Sequence, residues 1–276
     1  MAGRVLVLAS AADRGAAGVL AALAGLLPAP RLGFVTAEAL DAAAISWRLE
    51  GTTVEAALRL ADGTELRLEA TDTVLDRLPP AEAPAFAAAP QAERGYALSE
   101  AMAIRHAWLA AAPARIMNPP AAARTWTEAG PLPWLVRARA AGLPARRAVA
   151  ASPARAAGHR PGLQTVAIDA DRWGSVQPAA TETLLPGGWP QLLLEPLEAP
   201  FRCLLVCAGE VLGDAPPALG EGVLRLAAEA GTPLLAARFG MATDGTPRFA
   251  GASLLPGLLR PEEAGFVAAR LAAIAA

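Results

Sequence analysis

The stretch IMNPPAAARTWTEAGPLPWLVRARAAGLPARRAVAAS, from Ile116 to Ser152, carries the pattern that decides the fold. A short apolar run ends in Asn118 and two prolines, which is typical of a strand that stops at a corner. Apolar spacing then predicts a helix from Leu132 to Ala141, ended by Gly142. A second strand is predicted from Ala145 to Ala151. The stretch therefore predicts a strand–helix–strand junction between two parts of the chain.

Upstream of this junction, strands and helices alternate. Strands are predicted from Arg4 to Ser10 and from Leu32 to Thr36, on either side of an apolar helix from Gly15 to Leu27. This order indicates a β-α-β opening and an α/β fold class.

A hairpin and a long helix follow. Val54 to Leu60 alternates apolar and polar residues, the Asp62-Gly63 pair favours a tight turn, and Glu65 to Glu69 alternates back. A helix is then predicted from about Arg94 to Ala111.

Composition excludes several classes of function. All 24 basic residues are arginine, the net charge is −2, and no local basic run is present, so nucleic-acid binding is not expected. The longest uncharged stretch, Gly15 to Pro30, is shorter than the roughly 20 residues that cross a bilayer. With two cysteines and two histidines, the chain lacks the ligand cluster of a zinc site. We therefore expect a cytoplasmic protein without a membrane span or a bound metal.

Common catalytic motifs are missing as well. A Walker-type phosphate loop requires a lysine, and the chain has none. No GxGxxG follows the first strand, and no Gly-x-Ser-x-Gly is present. Nicotinamide-dependent and serine-hydrolase chemistry are therefore not expected.

The order of segments around the junction resembles that of the ATP-grasp superfamily. In that family, strand, Asn-Pro, helix, Gly-Leu-Pro and strand lead into a lid. QLLLEPL, Gln191 to Leu197, resembles the hinge strand that contacts adenine, and FRCLLVCAGEVLG, Phe201 to Gly213, resembles the hairpin after it. An amphipathic helix is predicted from Leu219 to Ala230, and Pro233 to Ser253 is similar to the two strands that carry the metal ligands in the family.

This resemblance implies an α/β chain whose C-terminal half is α+β. Three segments are expected: an N-terminal α/β domain of the pre-ATP-grasp type over residues 1–118, a small lid-like subdomain over 119–185, and an ATP-grasp-like subdomain with an antiparallel sheet over 186–276.

The resemblance also implies site residues, and only some of the family's positions are retained in this chain. Glu195 falls where the hinge binds adenine and ribose, and Arg202 matches the hairpin arginine that faces phosphate or substrate, so both are assigned to ATP. Arg238 falls on the family's metal-binding aspartate, and Gly251 and Ser253 fall on its glutamate and asparagine. The magnesium ligands are thus missing, and no metal residue is assigned.

Arg238 and Asn118 are assigned to the substrate. An arginine in place of the aspartate repels Mg²⁺ and favours a carboxylate or phosphate. Structural roles stay open for three of these residues: Arg238 could pair with Glu229 or Glu210, Arg202 could be a surface arginine, and Asn118 could shape the corner before Pro119. Five arginines could replace the missing lysine charge at the lid, namely Arg146, Arg147, Arg155, Arg160 and Arg172.

Two functions stay open. In the first, the chain is a degenerate ATP-grasp-like protein that binds a peptide, a small anion or a protein partner in the ancestral cleft. In the second, it is an ATP-dependent carboxylate–amine ligase that works through an acyl phosphate. The loss of three metal positions favours the first, because one missing electrostatic contact commonly costs roughly 10²–10³ in rate. If the alignment with the family were shifted, Asp244, Glu262 or Glu263 would instead supply the acids of the metal site.

Overall fold

The computed structural model describes residues 2–51, 53–78, 88–120, 131–151, 163–167, 177–178, 191–258 and 260–276. The chain forms two compact units. The first unit combines Met1–Ala121 with Gly257–Ala276, and the second is Ala122–Pro256. Parallel and antiparallel sheets are both present, which confirms the mixed α/β class.

The described strands are β1 (Val5–Ala9), β2 (Leu32–Thr36), β3 (Ala44–Glu50), β4 (Thr53–Arg59), β5 (Glu65–Leu66), β6 (Thr73–Arg77), β7 (Arg115–Met117), β8 (Ala148–Ala151), β9 (Gln164–Ala167), β10 (Gln177–Pro178), β11 (Gln191–Leu194), β12 (Glu198–Cys207), β13 (Glu210–Leu212), β14 (Leu234–Met241) and β15 (Pro247–Ser253). The described α-helices are α1 (Arg14–Ala24), α2 (Ala37–Asp41), α3 (Gln91–Ala111), α4 (Pro131–Ala140), α5 (Pro217–Glu229) and α6 (Pro261–Ile274). Within these residues, no helix combines the length and the apolar character that a membrane crossing requires.

A parallel sheet in the order β2-β1-β6-β7 forms the centre of the first unit. All five residues of β1 are buried, as expected for the apolar run VLVLA in a strand with neighbours on both sides. Helix α6 packs against α1 in this unit, although its residues belong to the predicted 186–276 segment. The predicted three-segment division stays a prediction.

The predicted hairpin is confirmed as β4 and β5, with Gly63 in the left-handed conformation at φ 87°. Strand β3 is not among the predicted elements, and it pairs with the whole of β4. Its apolar residues Trp47 and Leu49 are exposed, so the strand is held by backbone pairing more than by burial of its side chains. Helix α1 ends at Ala24 with Gly25 as its cap, three residues before the predicted end.

Ion pairs between carboxylates and arginines join distant parts of the first unit. Asp72 accepts hydrogen bonds from the Arg4 backbone at 3.0 Å and from its side chain at 3.3 and 2.6 Å. Asp13 caps α1 and accepts from Arg77 Nε and Nη2 at 2.9 and 3.1 Å. Each pair spans more than 60 residues of sequence, so it fixes the tertiary arrangement and not only the local conformation.

Two antiparallel sheets form the second unit, in the orders β10-β9-β11-β8 and β13-β12-β14-β15. Helices α4 and α5 pack on the latter sheet. Their shared core contains residues from both helices and from the strands, including Trp134, Val223, Leu235, Phe239 and Phe249. This unit carries most of the predicted site residues.

Asp72→Asn is expected to lower the free energy of unfolding at neutral pH by about 1–3 kcal/mol, because a charge-assisted acceptor is lost from a buried position. Although burial opposes it, hydrogen bonds from Arg4 and from the Glu69 backbone hold the pKa of Asp72 below its ordinary value. The stabilisation is therefore present above the ordinary carboxyl pKa and is lost as pH falls through the native value. Urea unfolding of both proteins from pH 3 to pH 7 should show their difference shrinking in acid, whereas the exposed Glu50→Gln control stays close to wild type throughout.

Asp76→Asn is expected to act in the opposite direction. Burial raises the pKa of Asp76 to about 6, against the hydrogen bond from Leu78 N–H and the charge of Arg105. The unfolded chain ionises this carboxyl at its ordinary pKa of about 4. Ionisation of Asp76 therefore opposes folding increasingly from that pH upwards and in full above pH 6, and the penalty disappears only as pH falls below the ordinary carboxyl pKa. The variant should equal or exceed wild-type stability at pH 7.5, by up to about 3 kcal/mol, and lose that advantage at about pH 3.5. An unchanged difference between the two pH values would contradict the assignment.

Candidate functional site

The register of the β13-β12-β14-β15 sheet separates its side chains into two faces. Phe239 lies opposite Arg202 on β12 and opposite Phe249 on β15, and the two phenylalanines belong to the core. Arg238 lies opposite Cys203 and Gly251, on the other face. We call the first the core face and the second the arginine face.

The arginine face brings together three positions that the sequence analysis placed on the family's metal ligands. Arg238 is paired with Gly251, and Ser253, two residues further along β15, is paired with Ala236. A β-bulge between Phe249 and Gly251 keeps Gly251 and Ser253 on this face. Arg238 is exposed, and its guanidinium carbon lies 4.7 Å from the centre of the Phe201 ring. This stacking holds a cation on the sheet surface at a defined position.

Arg248 is a further residue of the arginine face that the sequence analysis missed. It pairs with Gly240, two residues from Arg238 on β14. Its Nη2 lies 3.3 Å from Asp244 Oδ2, and its Nε is buried without a hydrogen-bond acceptor among the described residues. The sequence signal next to Arg248 is the Asp-Gly turn, which marks Asp244 and gives no reason to select the arginine that follows.

Arg202 is not on the arginine face. It lies opposite Phe239 at the exposed end of β12, so the sheet separates it from Arg238. Among the described residues it has no ion pair. Its assignment to ATP stays a prediction, and a single ligand group cannot lie on both faces of the sheet.

Glu195 follows β11 and is tied to the segment that precedes β8. Its backbone N–H donates to the Arg147 carbonyl at 2.9 Å, and its Oε2 accepts from the Arg147 backbone N–H at 2.9 Å. Its Oε1 lies 3.8 Å from Arg147 Nε. The carboxylate therefore fixes the entry into β8, and its role with adenosine stays a prediction.

Of the arginines proposed for the lid, Arg146 is buried and Arg147 is exposed. Arg155, Arg160 and Arg172 lie outside the described residues. Burial lowers the pKa of Arg146 to about 10, although the charge of Glu195 acts in the opposite direction. The Arg146 backbone N–H donates to the Phe249 carbonyl at 3.2 Å, which ties this segment to the edge of β15.

Asn118 belongs to the first unit, where it follows β7. It is buried and has a positive φ of 58°, a conformation that asparagine tolerates better than most residues. The corner before Pro119 thus accounts for the residue type, and its assignment to the substrate stays a prediction.

The alternative acids serve turns and helix ends. Asp244 accepts hydrogen bonds from Thr246 in the β14–β15 turn. Glu263 completes a capping box with Arg260 at the start of α6, and Glu262 lies in the same first turn. In the described ranges, no three histidine, cysteine, aspartate or glutamate side chains are grouped as a metal site requires.

The arginine face therefore suits an anion better than a cation. Mg²⁺ takes carboxylate, carbonyl and water oxygens in octahedral geometry, whereas the aligned positions here are an arginine, a glycine and a serine. The Ser253 hydroxyl already accepts the Leu255 N–H at 3.2 Å. These residues do not fit a magnesium ion, and they do fit a carboxylate or phosphate.

A scan against protein-family models finds no match for this chain. A search of curated proteins finds none either.

Solved structures, in contrast, match over almost the whole chain. ATP-grasp ligase PsnB, solved with minimal precursor, Mg and ADP, is 17% identical, covers 98% of each chain and has a TM-score of 0.74. Macrocyclase MdnC from Microcystis aeruginosa MRC, bound with precursor peptide MdnA, is 12% identical, covers 96% of this chain and 97% of that one, and has a TM-score of 0.74.

A Chryseobacterium gregarium RiPP-associated ATP-grasp ligase, in complex with ADP and a leader and core peptide, is 13% identical. The match covers 96% of this chain and 95% of that one, with a TM-score of 0.68. The chain has the fold of the ATP-grasp superfamily.

Proposed function

We propose that this chain is an ATP-grasp-like protein that binds an acidic peptide on the arginine face and does not carry out metal-dependent ligation. The observation that carries the proposal is the pairing of Arg238 with Gly251, with Ser253 on the same face. A positive charge occupies the sheet at the position that the family resemblance gives to a metal ligand. The position in the fold is therefore that of a metal site, whereas the residue there favours an anion in place of a cation.

A peptide is the ligand class best supported. The solved relatives include ligases bound to precursor peptides, and a peptide offers both apolar and charged contacts. On this chain, Phe201 is 47% exposed beside Arg238, so an apolar surface lies next to a cation. A carboxylate-bearing segment matches such a surface, because charge-assisted hydrogen bonds to arginine are about twice as strong as neutral ones.

ATP-dependent ligation through an acyl phosphate is the second candidate. It is favoured by solved structures of ATP-grasp ligases that contain ADP or AMPPNP, two of them with Mg. Against it stand the missing lysines and the arginine at the metal position, since a cation beside Mg²⁺ raises the electrostatic cost of binding the ion. Nucleotide binding without turnover is compatible with either candidate.

Arg238→Ala is expected to weaken binding of a capped hexaglutamate peptide at least tenfold, because a hydrogen bond to a charged group contributes about 1.5–3 kcal/mol. Isothermal titration calorimetry should be run with capped hexaglutamine as the neutral probe. Arg48→Ala is the matched control, because Arg48 is an exposed, ion-paired arginine on a strand of the first unit. Equal affinity of wild type and Arg238→Ala for hexaglutamate would refute the assignment of the peptide to the arginine face.

Titration of ATP and ADP, with and without Mg²⁺, separates the two candidates. The proposal expects that Mg²⁺ does not strengthen nucleotide binding, because the described residues at the aligned positions supply no carboxylate for the ion. Metal-dependent binding together with ADP release in the presence of a carboxylate substrate would establish the ligase instead. The Arg202→Ala variant tests in the same titration whether that arginine contacts the nucleotide.

A further inference from the structure

An edge of a buried guanidinium lacks an acceptor at the entry to β8. Arg146 is 6% exposed, and its Nε and Nη2 have no hydrogen-bond partner among the described residues. In arginine these two nitrogens lie on one side of a planar group, and their N–H bonds point the same way. This edge has the geometry that takes the two oxygens of one carboxylate or phosphate.

The same edge is satisfied by carboxylates elsewhere in the chain. Arg77 donates from Nε and Nη2 to the two oxygens of Asp13, at 2.9 and 3.1 Å. Arg4 donates from the same pair of nitrogens to Asp72, at 3.3 and 2.6 Å. Arg146 presents an equivalent edge, more deeply buried than that of Arg4, and no side chain of the described residues completes it.

Backbone hydrogen bonds hold the Arg146 segment in place from two sides. Arg146 N–H donates to the Phe249 carbonyl at 3.2 Å, and Phe249 N–H donates to the Pro144 carbonyl at 2.8 Å. On the other side, Arg147 N–H donates to Glu195 Oε2. The base of the Arg146 side chain is therefore fixed before any ligand arrives, which lowers the entropy cost of binding.

The acid that acts on the charge of Arg146 does not complete the edge. Glu195 attracts the charge of Arg146, but its oxygens accept the Arg147 N–H and face Arg147 Nε at 3.8 Å. A buried charge that lacks a hydrogen-bonded partner is strongly disfavoured in a protein interior. An anion supplied from outside would remove this penalty.

A second arginine lies on the same face, diagonally across a β-bridge from Arg146. Ala145 pairs with Phe249 in a parallel bridge, so Arg146 and Arg248 flank this bridge on one face. Arg248 also has a buried Nε without an acceptor among the described residues, while its Nη2 lies near Asp244. Two guanidinium groups on one face favour an oxyanion over a neutral ligand.

We propose that Arg146 is the centre of an oxyanion subsite, in which its Nε and Nη2 bind two oxygens of a carboxylate or phosphate group and Arg248 adds a second positive charge. The subsite deepens the proposed function and rests on it for the identity of the ligand as a carboxylate-bearing peptide. The alternative source of the same chemistry is a phosphate group.

The test measures thermal unfolding of the full chain in sodium acetate, sodium phosphate and sodium chloride at equal ionic strength. Wild type should unfold several degrees higher in acetate or phosphate than in chloride, since an anion that binds the native state stabilises it by mass action. Arg146→Met keeps an unbranched apolar stem and removes the charge, so only the general stabilisation that these anions give to folded proteins should remain. In chloride, the variant should unfold at the wild-type temperature or above, because the uncompensated charge is gone.

Two further variants exclude trivial explanations. Arg225→Met is the matched control in the second unit, because Arg225 Nε already donates to the Ala141 carbonyl at 3.1 Å, and it should keep the anion response. Arg146→Lys keeps a charge without the planar edge and should lose most of it. The protein is equilibrated with each anion before heating, because binding to a buried edge that requires side-chain movement is slow.

The outcomes are decisive and separable. A response to acetate or phosphate that is larger in wild type and in Arg225→Met than in Arg146→Met supports the subsite, and the anion that gives the larger difference identifies its chemistry. No anion response in wild type, or an equal response in Arg146→Met, overturns it. If the anion response depends on Arg146 but hexaglutamate binds wild type and Arg238→Ala equally well, the subsite is supported and only the assignment of the peptide to the arginine face is refuted.

Discussion

Side-on pairing between a guanidinium and a carboxylate is the constraint on which much of the described structure depends. The chain contains 24 arginines and no lysine, so every cation is a planar group with directional donors. In the first unit, Asp72 and Asp13 meet this demand for Arg4 and Arg77, and each pair connects segments that are distant in sequence. A compact ammonium group would accept looser geometry and specify the arrangement less strictly. The same requirement makes Arg146 conspicuous, because it is buried with that edge unmet.

The local parts of the fold were predictable because local physics determines them. The apolar run of β1 indicates a central strand, and the Asp62-Gly63 pair indicates the turn that φ 87° at Gly63 requires. Strand β3 could not be predicted in this way. Its apolar residues Trp47 and Leu49 are exposed, so they do not form the buried face that marks a strand, and no turn signal precedes it. The membership of α6 in the first unit was also not apparent from the sequence, since contact with α1 is a tertiary property.

The candidate site shows a similar division. The relation between Arg238, Gly251 and Ser253 followed from the family resemblance, and the strand register agrees that the three share a face. The separation of Arg202 from Arg238 did not follow, because it depends on which residue of β12 lies opposite Phe239. The burial of Arg146 could not be inferred from the run ARRAV, where two adjacent arginines are equivalent in sequence and differ only in what surrounds them.

The insertion of one unit within the other has a consequence for synthesis on the ribosome. Residues of the second unit form one continuous segment, whereas the first unit needs α6, which is translated after that segment is complete. The part of the chain that is synthesised first therefore completes its packing last, because it needs α6. Until α6 is synthesised, the surface of α1 that packs against it stays uncovered. The unit whose synthesis begins first is therefore the unit that completes its folding last. Chaperones that bind exposed apolar helices on nascent chains would meet it in this incomplete state.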